Sequence, residues 1–280
     1  MKRTNDFKKS GTLYLISTPI GNLKDISERT LETLKSLDIL FCEDTRVTSK
    51  LLSHFSINLP LDSYHDFSKS DKEDKIISLL ESGKTIGIVS DAGSPIISDP
   101  GYEVVKKAVD NNFKVYHIPG ASAGLSALCL SSLPPRPYLF YGFLDKQESK
   151  KKEELEILES YPFTIVFYES PLRIKKTIKD LYEVFGERKA SISRELTKMY
   201  EETIYLNLSE YNLLDDDLKG EMVLVVEGKT KEEDKTKIYT KAMDKLLKDG
   251  YSINEASKIV SSLYNLKRKE IYDEYMRRQK

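Results

Sequence analysis

Short apolar runs alternate with stretches of helical period along most of this 280-residue chain. Strands connected through helices leave that pattern, and it restricts the fold to the α/β class. The runs are Leu13–Ser17, Ile39–Cys42, Thr85–Ser90, Lys114–Ile118, Tyr138–Tyr141, Phe163–Tyr168 and Met222–Glu227. Several are apolar on both alternating faces, as expected of strands covered on both sides. Between them, Ile26, Thr30, Leu34 and Leu37, and again Ile174, Ile178, Leu181 and Phe185, recur at three- and four-residue spacing and mark covering helices. Asp99-Pro100 and Ser170-Pro171 each pair a capping oxygen with a proline at the first helical position, where the missing N–H does no harm. Gly186 suits the stop of the second of these helices.

Ser131–Pro137 reads Ser-Ser-Leu-Pro-Pro-Arg-Pro. Its prolines exclude helix and disfavour a central strand, so it is the expected linker between an N-terminal α/β domain over 11–131 and a second over 132–228. Gly228–Lys237 is charged and aperiodic and sets a further boundary. Beyond it, Ile238–Leu247, Ile253–Tyr264 and Lys269–Arg278 form a helical extension over 229–280, broken at Gly250 and near Asn265.

The charge balance of 44 Lys and Arg against 45 Asp and Glu excludes a basic coat over the whole surface. The balance is local, however: residues 229–280 hold 14 basic and 9 acidic side chains, or +5, leaving −6 on the first 228. Such a tail suits an anionic partner or is simply a solvated helical face. No apolar core with a cleavage site follows Met1–Ser10, and no run approaches about 18 apolar residues, so a soluble cytoplasmic protein is expected. Cys42 and Cys129, and His54, His65 and His117, lie far apart without CxxC or HExxH pairing. No metal site is expected, and both cysteines are read as reduced core residues.

Ligands in open α/β sheets collect beyond the carboxyl ends of the strands. Four loops there are rich in small or charged residues: Ser17–Asn22, Cys42–Arg46, Ser90–Pro95 and Pro119–Gly124. None is GxGxxG or GxxxxGK[ST], which makes an ordinary NAD enzyme or NTPase unsuitable. Thr18-Pro-Ile-Gly-Asn22, Glu43-Asp-Thr-Arg46, Ser90-Asp-Ala-Gly-Ser-Pro95, Asp99-Pro-Gly101, Pro119-Gly120, Phe167-Tyr-Glu-Ser170, Arg194-Glu-Leu-Thr-Lys198 and Gly220–Gly228 follow one another in order. This series resembles the ribosomal RNA small subunit methyltransferase I family, a branch of the tetrapyrrole methylase superfamily. The resemblance implies two α/β domains with S-adenosyl-L-methionine in the cleft between them, a homodimer, and methyl transfer to the ribose 2′-hydroxyl of a decoding-region cytidine in 16S rRNA. Two departures stand out: Ala121 follows Pro119-Gly120 where the family often has proline, and Leu133–Tyr138 lacks the family's usual acidic residue.

By that resemblance Gly93, Ser94 and Pro95 occupy the cofactor loop, Ser122 and Ala123 touch the cofactor, and Met222 and Val223 cover the adenine. Pro19, Ile20, Gly21, Asp91, Ile96, Ile97 and Tyr168 complete the expected cofactor site. A ribose hydroxyl is a weak acid, so a base or electrostatic partner is needed near it. The candidates are Glu43, Asp44, Arg46, Glu195 and Lys198, with a desolvated Lys198 of lowered pKa beside Arg194 as the base and Arg46 holding a phosphate. The alternatives are structural: a capping and ion-pair cluster for Glu43, Asp44 and Arg46, an ion pair for Glu195 and Lys198, and an Asp91 that caps its own turn. Asn22, Arg46 and Arg194 are candidate substrate contacts. Gly250–Val260 with Leu266–Tyr272 resembles a helix-turn-helix unit, capped by Ser252, with Lys267, Arg268 and Lys269 placed to meet RNA; a solvated bundle aiding subunit contacts fits as well. Tyr251, Tyr264, Tyr272 and Tyr275 are expected in core or groove positions.

Overall fold

A computed structural model describes residues 11–64, 69–215, 217–229, 235–264 and 266–278. Met1–Ser10, His65, Asn265 and part of the Gly228–Lys237 segment named above lie outside the described residues. The chain separates into two compact units, one ending at Gly228 and the other beginning at Lys229.

Five strands, β1 (Thr12–Ile16), β2 (Ile39–Cys42), β3 (Leu61–Ser63), β4 (Thr85–Val89) and β5 (Lys114–Ile118), form an all-parallel sheet in the order β3-β2-β4-β1-β5. Successive side chains leave opposite faces of a strand, and the core divides accordingly. Leu13, Phe41, Ile86 and Ile88 pack with Ile76 and Leu80 of α3 (Lys69–Glu81) and Val104 of α4 (Tyr102–Asp110). Ile16, Leu40, Cys42 and Val89 pack on the other face with Leu34 of α1 (Glu28–Ser36) and Leu52 of α2 (Thr45–His54). The Ser27 hydroxyl caps α1 by accepting from the Thr30 N–H at 3.1 Å. Ser27→Ala is expected to destabilise this unit by about 1 kcal/mol, read as a lowered urea midpoint at unchanged slope.

The second sheet is mixed. β6 (Tyr138–Phe143), β7 (Thr164–Glu169), β8 (Lys189–Arg194), β9 (Glu202–Asn207) and β10 (Met222–Val226) run in the order β6-β7-β10-β8-β9, with only β6 and β7 parallel. One face carries α7 (Pro171–Phe185) and α6 (Glu148–Leu158) over Ile165, Phe167, Ile192 and Leu224. The other face, through Val166, Val223 and Val225, receives Ala127 and Leu128 of α5 (Ala123–Leu130), the helix that follows β5. The proline-rich linker leaves α5 for β6 and contains a cis Arg136–Pro137 bond.

Several local expectations need correction. β3, β8 and β9 were not apparent in the apolar pattern: β3 is only three residues long, and β8 buries Ser191 and Ser193 on one face beside Ala190 and Ile192 on the other. α4 starts at Tyr102 behind Gly101 at φ +136, so Asp99 and Pro100 sit in the preceding loop, where Asp99 hydrogen-bonds Ser90. α7 does begin at Pro171 and stop at Gly186, but Ser170 makes no side-chain cap bond. Cys42 is buried, whereas Cys129 is exposed because it shares the outward face of α5 with Leu125, one turn away.

The unit from Lys229 holds α8 (Lys235–Lys248), α9 (Ile253–Tyr264) and α10 (Arg268–Arg278) around Met243, Ala256, Val260, Ile271 and Tyr275. Ser252 and Glu255 form a reciprocal cap at the start of α9. Tyr275 is buried as expected, but Tyr251 and Tyr264 are exposed. No helix among the described residues is long and apolar enough to cross a membrane.

Candidate active site

β4, β1 and β5 are adjacent, so the loops beyond them emerge side by side. The Thr18 N–H donates to the Gly93 carbonyl at 2.9 Å and the Gly93 N–H donates back at 3.1 Å, tying the first loop to the loop after β4. Gly93 turns there at φ +80, where a side chain is strained. Gly120 lies so close to β1's exit that a Cβ on it would stand 2.8 Å from Ser17 Cβ. Ser17 Oγ is 2.6 Å from Ser94 Oγ, and the two hydroxyls lie 3.3 and 3.2 Å from His117 Nε2.

These loops face the ends of β6, β7, β8 and β10 across a cleft of about 1020 Å³. Ile20, Ile97, Leu196, Met222 and Val223 supply apolar wall. Tyr168 packs edge-on against Phe140 and Phe143, with ring centroids 5.1 and 5.5 Å away. Phe143 reaches the cleft because the pairing of β6 with β7 shifts between Phe140 and Gly142, and one extra residue brings it to the face of Tyr138 and Phe140.

The carboxylates of the lining are Glu43, Asp91, Asp99, Glu169, Glu195 and Glu221, set among serine hydroxyls and the Tyr138 and Tyr168 rings. Among the described residues that line the cleft there is no Lys or Arg, and His117 is the sole basic side chain. Loss of hydration raises the Asp91 pKa, and the nearby Asp44 carboxylate adds to the rise, although Asp91 Oδ1 accepts from the Asp44 N–H at 3.1 Å. Burial likewise raises Asp99, with Asp91 contributing. Glu169 is buried and fully engaged: it accepts from the Thr177 hydroxyl at 2.7 Å and the Ser170 N–H at 2.8 Å, and lies 3.4 Å from Arg173 Nε.

Glu195 and Glu221 form a cage at the cleft edge. The Glu195 N–H donates to the Glu221 carbonyl at 3.1 Å, and the Glu221 N–H donates to Glu195 Oε1 at 3.2 Å. Lys198 Nζ binds Glu195 at 3.0 Å and Glu221 at 3.2 Å. Burial pulls the Lys198 pKa down, but the two carboxylates outweigh it and the value ends above normal. The expected desolvated base is therefore a held cation. In return the Lys198 bond holds the Glu195 pKa below its usual value.

Twelve residues expected at the site line this cleft: Ile20, Glu43, Asp91, Gly93, Ser94 and Ile97 from the first half, and Ser122, Ala123, Tyr168, Glu195, Met222 and Val223 around them. The others stand elsewhere. Pro19 lines a separate groove beside α2. Gly21 lies beneath the Lys198 stem, where a Cβ would come within 2.6 Å of Cγ. Ile96, at φ +78, is absent from the wall and packs close to Gly101. Asn22 caps a 3₁₀ turn at Leu23–Asp25 by accepting from the Lys24 N–H. Asp44 caps α2 and binds Arg46 at 2.6 Å, which holds its pKa down to about 2, so the cap persists above ordinary carboxylate values and is released only as pH falls toward 2. Arg194 pairs with Glu202 at 2.6 Å. In the tail unit, Arg268 donates to the Asn254 side chain and carbonyl, and Lys267 pairs with Glu270, leaving Lys269 exposed. Asp91 caps no turn of its own; it braces the Asp44 backbone.

The cleft residues missed in the sequence are Asp99, His117, Phe140, Phe143, Leu196 and Glu221 among others. Asp99, Leu196 and Glu221 fall inside quoted motifs without being singled out, and Phe143 depends on a bulge that no periodicity reveals.

Residues 12–212 match the family model described as tetrapyrrole (corrin/porphyrin) methylases. The chain belongs to the tetrapyrrole methylase family. Within it, the chain is 44% identical over 274 residues to the ribosomal RNA small subunit methyltransferase I of Bacillus subtilis strain 168, covering 95% of this chain and 94% of that protein. Solved structures of this methylase fold include a uroporphyrin-III-C-methyltransferase from Thermus thermophilus, at TM-score 0.56 and 16% identity over 78% of this chain and 94% of that one. A diphthine synthase superposes at TM-score 0.59 with 14% identity, over 78% and 90% of the two chains. The cofactor of this methylase is S-adenosyl-L-methionine. The lining suits it: a sulfonium and an ammonium favour a wall of carboxylates free of Lys and Arg, and the glycine-bearing loops let backbone groups approach closely.

Proposed function

We propose that this methylase transfers a methyl group to the ribose 2′-hydroxyl of a decoding-region cytidine in 16S rRNA. The observation that carries the reading is the near-full-length identity to a ribosomal RNA small subunit methyltransferase I; the acidic cleft supports it. When bound, S-adenosyl-L-methionine supplies a methyl group already activated on a sulfonium. The chain's residues then have positioning and proton management left to do. Ile20, Ile97, Met222 and Val223 supply apolar wall for the cofactor, and the Gly93, Ser94, Ser122 and Ala123 backbones supply polar contacts. Asp91 stands where the cleft meets the groove beside α2, and a raised carboxylate pKa suits it to take or orient the acceptor proton. Lys198, fixed as an ammonium between Glu195 and Glu221, holds those two cleft carboxylates in position. The reading includes a homodimer, tested by light scattering for a solution mass of two chains.

Half-exposed Ile97 provides a test of the cofactor site. Ile97→Lys is expected to weaken calorimetric binding of S-adenosylmethionine on the order of tenfold while affecting the uncharged thioether S-adenosylhomocysteine far less. Equal losses for both ligands would place the sulfonium away from this wall. A tetrapyrrole that accepted methyl groups in place of rRNA would overturn the acceptor assignment. Removing residues 229–280 is expected to weaken rRNA binding and flatten its salt dependence.

A further inference from the structure

The acidity that suits the cofactor leaves the cleft hostile to phosphate, so a nucleic-acid acceptor must place its backbone elsewhere. A second groove of about 380 Å³ opens beside α2 and shares one wall residue, Asp91, with the cofactor cleft. The paired bonds between Thr18 and Gly93 lie at this junction, so the two spaces are neighbours separated by a braced partition. The groove has the opposite character. Pro19, Leu23, Val47 and Leu51 line it, with Leu23 and Val47 exposed, and Lys50 and His54 stand on its wall. Lys50 has no ion-pair partner among the described residues, and it stands on α2, which begins within the Glu43–Arg46 motif.

We propose that this groove is a subsite for a nucleotide flanking the methylated one, its base against Leu23, Val47 and Leu51 and its phosphate at Lys50. The inference rests on the rRNA reading above and adds to it where the strand lies. Three observations converge on it. The space approaches nucleotide size; apolar wall and cation occur together, which a base with its phosphate requires; and continuity through Asp91 brings one ribose to the cofactor while its neighbour occupies the groove. The charge division between the two spaces fixes the direction: phosphate on the α2 side, sulfonium on the other.

The test compares wild type, Lys50→Ala and Val47→Trp using 30S subunits and labelled S-adenosylmethionine. Lys50→Ala is expected to raise KM for the subunits roughly five- to tenfold and to reduce the salt slope of RNA binding by about one. Val47→Trp, which fills an exposed part of the groove, is expected to raise KM at least as much. Calorimetric affinity for S-adenosylmethionine should stay within about twofold in both. An oligoribonucleotide carrying 4-thiouridine beside the acceptor should crosslink to the 45–54 peptide in wild type and lose the crosslink in Val47→Trp. Wild-type KM and salt slope in both variants, or a crosslink that maps elsewhere, would overturn the subsite while leaving the rRNA reading intact. A wild-type enzyme that methylates no RNA would sink that reading itself.

Discussion

Asp91→Asn is expected to lower kcat for methyl transfer about a hundredfold or more while S-adenosylmethionine affinity changes by only a few-fold. The size is that of a lost acid–base group. The asymmetry follows from placement, since Asp91 is the one residue shared by the cofactor cleft and the groove beside α2. Loss of hydration and the Asp44 carboxylate raise its pKa, so the wild-type rate should rise with pH through a value above that of an ordinary aspartate. Below that pKa the carboxyl is protonated and cannot accept. Asn removes this acid limb from the profile. A kcat that survived in the variant with the limb intact would move the proton to another group, with Glu43 next to test because it also lines the cleft. The substitution leaves the Asp44 N–H an uncharged amide oxygen in place of a carboxylate, so circular dichroism and the thermal midpoint must be compared alongside.

Gly220→Ala is expected to cost the enzyme most of its cofactor affinity, on the order of thirtyfold, the equivalent of about 2 kcal/mol. A Cβ there would stand 2.3 Å from Glu195 Oε1 and 2.4 Å from its Cγ, so the side chain as a whole must move, not just its end. Glu195 anchors Lys198 and the Glu221 backbone, and both Glu195 and Glu221 line the cleft. The glycine also lies at φ +92, which by itself disfavours a side chain. Gly250 separates the two causes. It has the same φ of +92 with nothing within 4 Å of its would-be Cβ. Gly250→Ala should therefore show only the backbone cost, about 1–2 kcal/mol of stability in the tail unit, with cofactor affinity unchanged. If the two substitutions had equal effects on cofactor binding, the Glu195 cage would have no part in shaping the cleft.

The sequence was most informative where a residue's surroundings are local. Apolar alternation located most strands because Leu13, Ile16, Leu40 and Phe41 must enter opposite cores whatever the loops do. The positions of Gly93, Ser94, Ser122 and Met222 followed from ordered motifs at strand ends. What escaped depends on distant partners. β8 lies inside the sheet, yet one of its faces buries serines, one of which, Ser193, meets Thr203 of β9 at 3.0 Å, so only Ala190 and Ile192 mark it as apolar and the run is too short to stand out. Lys198 and Arg194 sit four residues apart and read as crowded cations; the fold instead gives each an acidic partner, from as far away as Glu221. That reversed the expected pKa shift of Lys198. Pro19 and Ile20 are adjacent in one motif but line different spaces. Adjacent backbone groups routinely present their side chains oppositely, and a motif read as a block conceals it.

The account stands on the acceptor. Alkali cleaves RNA through the free 2′-hydroxyl, so a ribose methylated at that oxygen leaves its neighbouring phosphodiester intact. Purified enzyme should be incubated with methyl-labelled S-adenosylmethionine and 30S subunits lacking the modification, and the recovered 16S rRNA hydrolysed in alkali. The predicted result is label in an alkali-resistant dinucleotide containing cytidine from the decoding region, absent when the enzyme is Asp91→Asn. Label released entirely as mononucleotide, which marks a methylated base, would contradict it.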